Sequence, residues 1–235
     1  PTPTETTLKV TVMQGNFPTK VSRNELVQTL NTVLSKTQEA VSREKTDLLV
    51  WSETTLPLHT FPYLYLRMAA IAKEAGTPIL SGANLSDSTT QQETNTAILF
   101  GTDGSFSHYD KQHLVPFGEF IPFRPYWHPA LVQAFGFFES DLSQGDGLHP
   151  LTLPTPQKAD KSTQLGVLIC YEGTYPHIPA TLTAQGANLL FSLSNDSWAQ
   201  SRSQMEQHLA TVVLRAVETR RDVVRSTNSG ISGII

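Results

Sequence analysis

Segments with the two-residue period of a strand alternate along this chain with segments of the 3.6-residue period of a helix, and that alternation restricts the fold more than any other feature. Leu8, Val10 and Val12 alternate with Lys9, Thr11 and Met13, which predicts a strand with one buried face. Ser22 followed by Glu25 predicts a capping box, after which Leu26, Leu30, Val33, Leu34 and Val41 recur at helical spacing to about Lys45. Residues 47–51 are a short apolar run typical of a buried strand, delivering Ser52-Glu53-Thr54 to its carboxyl end. A helix is predicted over 62–75, closed by Gly76, and strands over 78–82 and 95–100. The turn at 101–104 leads into a strand ending near Asp110. Further on, strands at 166–170 and 188–193 flank a short helix at 177–185. Ser203 and Glu206 predict a second capping box, heading a helix with Leu209, Val212, Val213, Ala216 and Val217 on one face. Residues 223–224 and 231–235 read as closing strands. This order favours an α/β layered fold with sheets covered by helices.

The periodicity fails from Val115 to about Pro156, where Pro116, Pro122, Pro125, Pro129, Pro150, Pro154 and Pro156 break any long helix. The stretch is aromatic, holding Phe117, Phe120, Phe123, Tyr126, Trp127, Phe135, Phe137 and Phe138, and reads as a loop insertion of the lid or binding-loop type. The 235 residues suffice to bury a core without cross-links, and a single cysteine excludes an intrachain disulfide. A formal charge of −4 argues against a nucleic-acid partner. No run reaches the roughly 18 apolar residues of a spanning helix. Residues 1–7 read as a linker without an initiating Met, and the chain stops within the apolar run at Ile234-Ile235; both predict a piece cut from a longer protein.

The chemistry narrows by elimination. The sequence has no phosphate-cradling glycine loop with lysine, no H-E-x-x-H and no G-x-S-x-G. Its seven histidines lack the spacing of a structural zinc site, so neither metal nor cofactor is implied. What remains is positional: Glu53, Lys111 and Cys170 each fall just past the carboxyl end of a predicted strand, the edge where open α/β sheets place reacting groups. Taken singly, Cys170 reads as an inert core thiol, Glu53 as a solvated carboxylate and Lys111 as a surface charge. Together they are complementary. A thiol with a free pKa of about 8.5 needs a base or a neighbouring cation near neutrality. Glu53 can be the base and Lys111 the cation, and the same ammonium can hold an oxyanion when sulfur attacks a carbonyl.

Trp51-Ser52-Glu53, the block from Tyr109-Asp110-Lys111 through Phe117-Gly118-Glu119-Phe120-Ile121-Pro122, and Cys170-Tyr171-Glu172 resemble the Glu-Lys-Cys motifs of the nitrilase, or carbon–nitrogen hydrolase, superfamily. Within it, the lysine block with Ser194-Asn195-Asp196-Ser197-Trp198, Gln207-His208-Leu209, Arg215-Ala216-Val217-Glu218 and the run from Arg225 to Ser232 is similar to the apolipoprotein N-acyltransferase family. The similarity runs from about Leu8 to Ile235. It departs at Ala199-Gln200, where the family usually has an aromatic residue and a glycine.

The resemblance implies a nitrilase-like four-layer α-β-β-α sandwich over 8–235, with Glu53, Lys111 and Cys170 as catalytic triad and Glu119 as a second catalytic glutamate. It implies supporting or substrate-binding roles for Tyr171, Glu172 and Trp198, and for Phe117 and Phe120 at an acyl-binding surface that Ile121, Phe123, Trp127, Leu131, Val132, Phe135, Phe137 and Phe138 would extend. Trp198 by itself reads as a core aromatic, and the loop apolar residues by themselves read as packing. The implied partners are a phospholipid acyl donor, a diacylglyceryl-modified apolipoprotein acceptor and a membrane, met through transmembrane helices outside this chain and through the aromatic loop. The implied setting is the periplasmic face of a bacterial inner membrane. The rival expectations are a soluble amidase of the superfamily and a non-catalytic lipoprotein-binding domain.

Overall fold

The computed structural model describes residues 7–18, 22–87, 89–90, 92–127, 141–154, 163–199 and 201–235. Leu131, Val132, Phe135, Phe137, Phe138, Gln200 and residues 1–6 of the expected linker lie outside the described residues.

Eleven strands and four helices are described: β1 (Val10–Val12), α1 (Arg23–Arg43), β2 (Leu48–Val50), β3 (Leu56–Pro57), α2 (Tyr63–Ala75), β4 (Ile79–Ser86), β5 (Glu93–Phe100), β6 (Phe106–Asp110), β7 (Leu151–Leu153), β8 (Thr163–Ile169), α3 (His177–Ala184), β9 (Leu189–Ser194), α4 (Arg202–Thr219), β10 (Val223–Thr227) and β11 (Gly233–Ile234). The strands form two sheets, ordered β1-β2-β4-β5-β6 with β3 against β4, and β11-β10-β9-β8-β7. In the first, β1, β2 and β4 run parallel, and β6, two antiparallel steps from β4, runs with them. In the second, β8, β9 and β10 run parallel between antiparallel edges.

Strand alternation sorts side chains into three apolar layers. Leu48 and Val50 of β2 join Leu80, Leu99, Val167, Ile169, Phe191 and Leu193 between the sheets. Leu49 and Trp51 point the other way, into Leu30 and Val33 of α1 and Leu64 and Met68 of α2. On the far side Leu168, Leu190 and Val223 meet Ile178 and Leu182 of α3 and Val212 of α4. Three cores between four layers give the α-β-β-α sandwich. Phe191 is fully buried between the sheets. Phe191→Ala is expected to destabilise the chain by about 3–5 kcal/mol, read from the midpoint and slope of urea unfolding.

The helix signals are realised with one shift. The Ser22–Glu25 box forms, and Gly76 ends α2 in the left-handed region at φ 62°. The second box is Ser201 with Gln204, so the expected Ser203–Glu206 pair lies inside the first turn of α4. The expected face of α4 also differs. Its buried residues are His208, Val212 and Arg215, while Val213 and Val217 are exposed. Two strands escaped the periodicity, β3 and β7, because two or three residues show no period; β7 lies inside the stretch read as loop. Among the described residues no helix is long and apolar enough to cross a membrane.

Candidate active site

Glu53, Lys111 and Cys170 follow the carboxyl ends of β2, β6 and β8, and the shared direction of those strands brings all three to one edge of the sandwich. The loop carrying Glu53 sits tightly on β4: a Cβ at Gly82 would lie 2.5 Å from the Glu53 Cα, so only glycine admits it. Cys170 occupies the left-handed region at φ 51°, at the junction of β8 with a 3₁₀ turn (Cys170–Thr174). That backbone strain, about 1–3 kcal/mol for a residue with a Cβ, turns the chain sharply at the sulfur.

Lys111 is fully buried, with its Nζ 2.7 Å from Glu119 Oε1 and 3.7 Å from Glu53 Oε1. Asn95 Nδ2 donates to Glu53 at 2.8 Å and to Glu119 at 3.1 Å. The Asn195 N–H, past the end of β9, donates to the second Glu53 oxygen at 2.8 Å. Glu119 also accepts from the Val115 N–H at 2.8 Å, which folds the 115–119 turn around the lysine. Burial would lower the lysine pKa, yet Glu53, Cys170 and Glu119 together hold it above its ordinary value. Lys111 therefore stays an ammonium. Burial raises the Glu53 carboxyl, the Glu119 charge adds to this, and Lys111 with the two donors opposes it. Burial likewise pushes the half-buried Cys170 thiol up; Glu53 adds to the rise, while Lys111 and a Ser194 hydrogen bond pull it down.

The arrangement thus sets a thiol and the Glu53 carboxyl group, both with pKa values raised by burial, beside a fixed cation. Sulfur can attack an electrophile as its proton passes to Glu53, leaving the net charge of the cluster unchanged. Lys111 can then face the oxygen that becomes negative.

Glu172 is buried beside the turn that carries Cys170. Its Oε1 accepts from Tyr109 Oη at 2.8 Å, Gln112 N at 2.7 Å and His113 N at 3.3 Å, and its Oε2 from Ile169 N at 2.8 Å. One carboxyl group therefore ties the loop after Lys111 to the turn at Cys170. Tyr171 is partly exposed and packs edge-on against Tyr175. Trp198 is 55% exposed, against the expectation of a core aromatic; it sits on a 3₁₀ turn (Asp196–Trp198) at the sheet edge, with His208 as its ring neighbour among the described residues. Phe117, Phe123 and Tyr126 are 50%, 77% and 88% exposed, with Phe117 packed edge-on against Trp127; Ile121 is buried, as the packing reading expects, and Phe120 is half-buried. The polar side of that stretch is pinned by Glu119 and by Asp141, which accepts from the Ile121 N–H and from Arg124.

Other groups at this edge carried no role in the sequence reading. Asn95 lies within a strand and gives no pattern signal; its function arises from strand pairing. Asp196, His208 and Arg225 fall in motifs that marked the resemblance, but only the fold joins them. Fully buried Asp196 accepts from Ser194 Oγ at 2.7 Å and Arg225 Nη2 at 2.8 Å, and lies 2.9 Å from His208 Nδ1. Burial would raise its pKa, but His208, Arg225 and Ser194 hold it below the ordinary carboxylate value. A depressed folded pKa adds stability above the unfolded value of about 3.9, lost as pH falls through the folded pKa. The stability advantage of wild type over Asp196→Asn is accordingly expected to be full near pH 7 and to shrink below about pH 4 in urea unfolding. Among the described residues no cluster of three His, Cys, Asp or Glu side chains offers a metal site.

The sequence is 35% identical over 213 residues to apolipoprotein N-acyltransferase 2 of Treponema pallidum (strain Nichols), covering 83% of this chain and 37% of that protein. It is 32% identical to the apolipoprotein N-acyltransferase of Pseudomonas aeruginosa (strain PAO1), covering 97% of this chain and 43% of that protein. The chain thus spans about two fifths of the length of these curated relatives. In fold it is similar to a carbon-nitrogen hydrolase from Helicobacter pylori G27, with a TM-score of 0.69 at 18% identity over 96% of this chain and 74% of that one. It is also similar to an amidase from Nesterenkonia sp. AN1 carrying acrylamide on its active-site cysteine, with a TM-score of 0.67 at 15% identity over 97% of this chain and 85% of that one. The family model for carbon-nitrogen hydrolases matches residues 9–235, which takes in both sheets and every group at their shared edge, and the chain belongs to that family.

Proposed function

We propose that this chain is the catalytic part of an apolipoprotein N-acyltransferase, with Cys170 as nucleophile, Glu53 as general base, Lys111 as oxyanion cation and Glu119 as the group that fixes Lys111. The observation that carries the reading is the convergence of one ammonium, two carboxylates and a strained cysteine at a sheet edge flanked by exposed aromatic side chains. The names of the curated relatives support the reaction class.

In the first half-reaction the Cys170 sulfur attacks an ester carbonyl of a phospholipid and its proton passes to Glu53. The C–O bond breaks, the lysophospholipid oxygen takes the proton back, and a thioester remains. In the second, the amine of a diacylglyceryl-cysteine attacks the thioester. The C–N bond forms, the C–S bond breaks, and a proton from the amine returns to sulfur through Glu53. Phe117, Phe120, Phe123 and Tyr126 form the face that meets acyl chains, as interfacial segments do, and the part of the 115–156 stretch that precedes β7 acts as the lid. The site works at a bacterial inner membrane, on its periplasmic face.

The test supplies the full-length protein in vesicles with phospholipid and a diacylglyceryl-cysteine peptide. The expected product is the N-acylated peptide with one lysophospholipid per amide. Free fatty acid without amide would mean that water is the acceptor, as in an amidase, and no turnover with intact binding would mean a lipoprotein-binding domain; either overturns the reading.

A further inference from the structure

Asn95 lies on β5, where Ala97 and Leu99 belong to the apolar layer between the two sheets. Strand alternation puts Asn95 on that same face, two residues before Ala97 and towards the edge where the site lies. The residue is 2% exposed, so its amide needs partners inside the protein. Its Nδ2 hydrogens go to two different carboxyl groups, Glu53 Oε1 at 2.8 Å and Glu119 Oε1 at 3.1 Å. Its buried Oδ1 has no hydrogen-bond partner among the described residues. Turning the amide over would set that oxygen against both glutamates, so they fix its orientation. The Asn95 backbone carbonyl accepts from the Lys111 N–H at 2.9 Å. One residue therefore meets the lysine backbone and both carboxyl groups around the lysine head.

The ammonium is not shared evenly. Lys111 Nζ donates to Glu119 at 2.7 Å and stays 3.7 Å from Glu53, beyond hydrogen-bonding reach. The hydrogen bonds on Glu53 come instead from Asn95 on one oxygen and from the Asn195 N–H on the other. Each oxygen keeps a lone pair for an incoming proton. Of the two donors one is main chain, so Asn95 is the one whose side chain acts on Glu53. We propose that Asn95 is a positioning residue: its amide tethers Glu53 to the Glu119–Lys111 pair and keeps it in the ionised form that accepts the Cys170 proton. A donor bonded to a carboxylate favours the charged form. Here it works with Asn195 and Lys111, against burial and the Glu119 charge. The Cys170 sulfur is the other titratable group that feels Glu53. Asn95 does not itself titrate; it acts through Glu53. The inference rests on Glu53 as the base for Cys170, and its test reads the two separately.

The first measurement is an NMR titration of the chain labelled with ¹³C at its glutamate carboxyl carbons, with Glu53 assigned by the signal lost in Glu53→Gln. Asn95→Leu keeps the side-chain volume and Asn95→Ala removes it, while both lose the donor hydrogens; either variant that unfolds cooperatively in urea carries the test. The Glu53 midpoint is expected to rise by about one pH unit in each. A midpoint that stays at the wild-type value in a folded variant overturns the proposal. The second measurement is the burst of p-nitrophenolate from p-nitrophenyl butyrate as a function of pH. Its acid limb is expected to move up with the Glu53 midpoint, which slows the burst about tenfold on that limb and less as the pH rises. A loss equal at every pH would assign Asn95 a purely structural role and overturn the proposal. Wild type giving no burst while the Glu53 midpoint still rises in the variants would instead overturn the nucleophile reading and leave the tether standing.

Discussion

Replacing Cys170 by alanine is expected to lower acyl transfer by about 10⁴-fold or more while leaving the chain folded, because no other group at the edge can form the thioester. Cys170→Ser is expected to be nearly as inactive, since the surrounding charges serve a thiol and a hydroxyl is harder to ionise. The backbone adds a second readout. Cys170 sits at φ 51°, where a Cβ is strained. Cys170→Gly is therefore expected to be inactive yet more stable than Cys170→Ala by about 1 kcal/mol in urea unfolding. A Cys170→Gly protein more stable than the equally inactive Cys170→Ala would show that the strain belongs to the turn at Cys170 and not to the rest of the fold.

Lys111→Met is expected to be both inactive and unstable. The ammonium lies between Glu53 and Glu119 with no exposed surface, so its removal leaves buried carboxylates without their cation. Breaking a buried pair in this way costs about 3–5 kcal/mol. With Lys111 as the proposed oxyanion cation, its loss is expected to lower turnover by about 10²- to 10³-fold beyond any loss of folded protein. The sign with pH follows from Glu53, which burial already holds above the ordinary carboxylate range. Without Lys111 its folded pKa rises further, and an acid with a raised folded pKa destabilises the chain above that pKa. The penalty in Lys111→Met is thus expected to be largest near pH 8 and to shrink as the solution is acidified towards pH 5, whereas a defect of packing alone would not depend on pH.

The alternation of periods was sufficient to order the elements, since β2, β4, β5, β8 and β9 each lie where their apolar runs predicted. It also singled out Glu53, Lys111 and Cys170, because each lies within three residues past the end of a strand and strand ends are legible from local pattern. The reading of α4 went astray for a physical reason. Its buried face carries His208 and Arg215, polar side chains with fixed partners: His208 holds Asp196 and the Cys170 carbonyl, and Arg215 donates to the Thr174 carbonyl and to Glu218. An apolar stripe through Val213 and Val217 pointed the other way. The capping shift has the same origin in local degeneracy, as Ser201-x-x-Gln204 and Ser203-x-x-Glu206 both satisfy the box pattern and only the backbone decides between them. Asn95 and the Asn195 N–H were out of reach of any local reading. They meet Glu53 through the pairing of β4 with β5 and the facing of the two sheets, contacts made across 42 and 142 residues of sequence.

The central claim is that the Cys170 sulfur carries the acyl group between donor and acceptor, and mass spectrometry of the acyl-enzyme tests it most directly. Full-length protein incubated with phospholipid in the absence of an amine acceptor is digested, and the acylated peptide is located and treated with hydroxylamine. The account predicts an acyl mass on the peptide containing Cys170, released by hydroxylamine and absent from Cys170→Ala. Amide product formed by a Cys170→Ala protein at the wild-type rate, or an acyl group found on another residue, would contradict it.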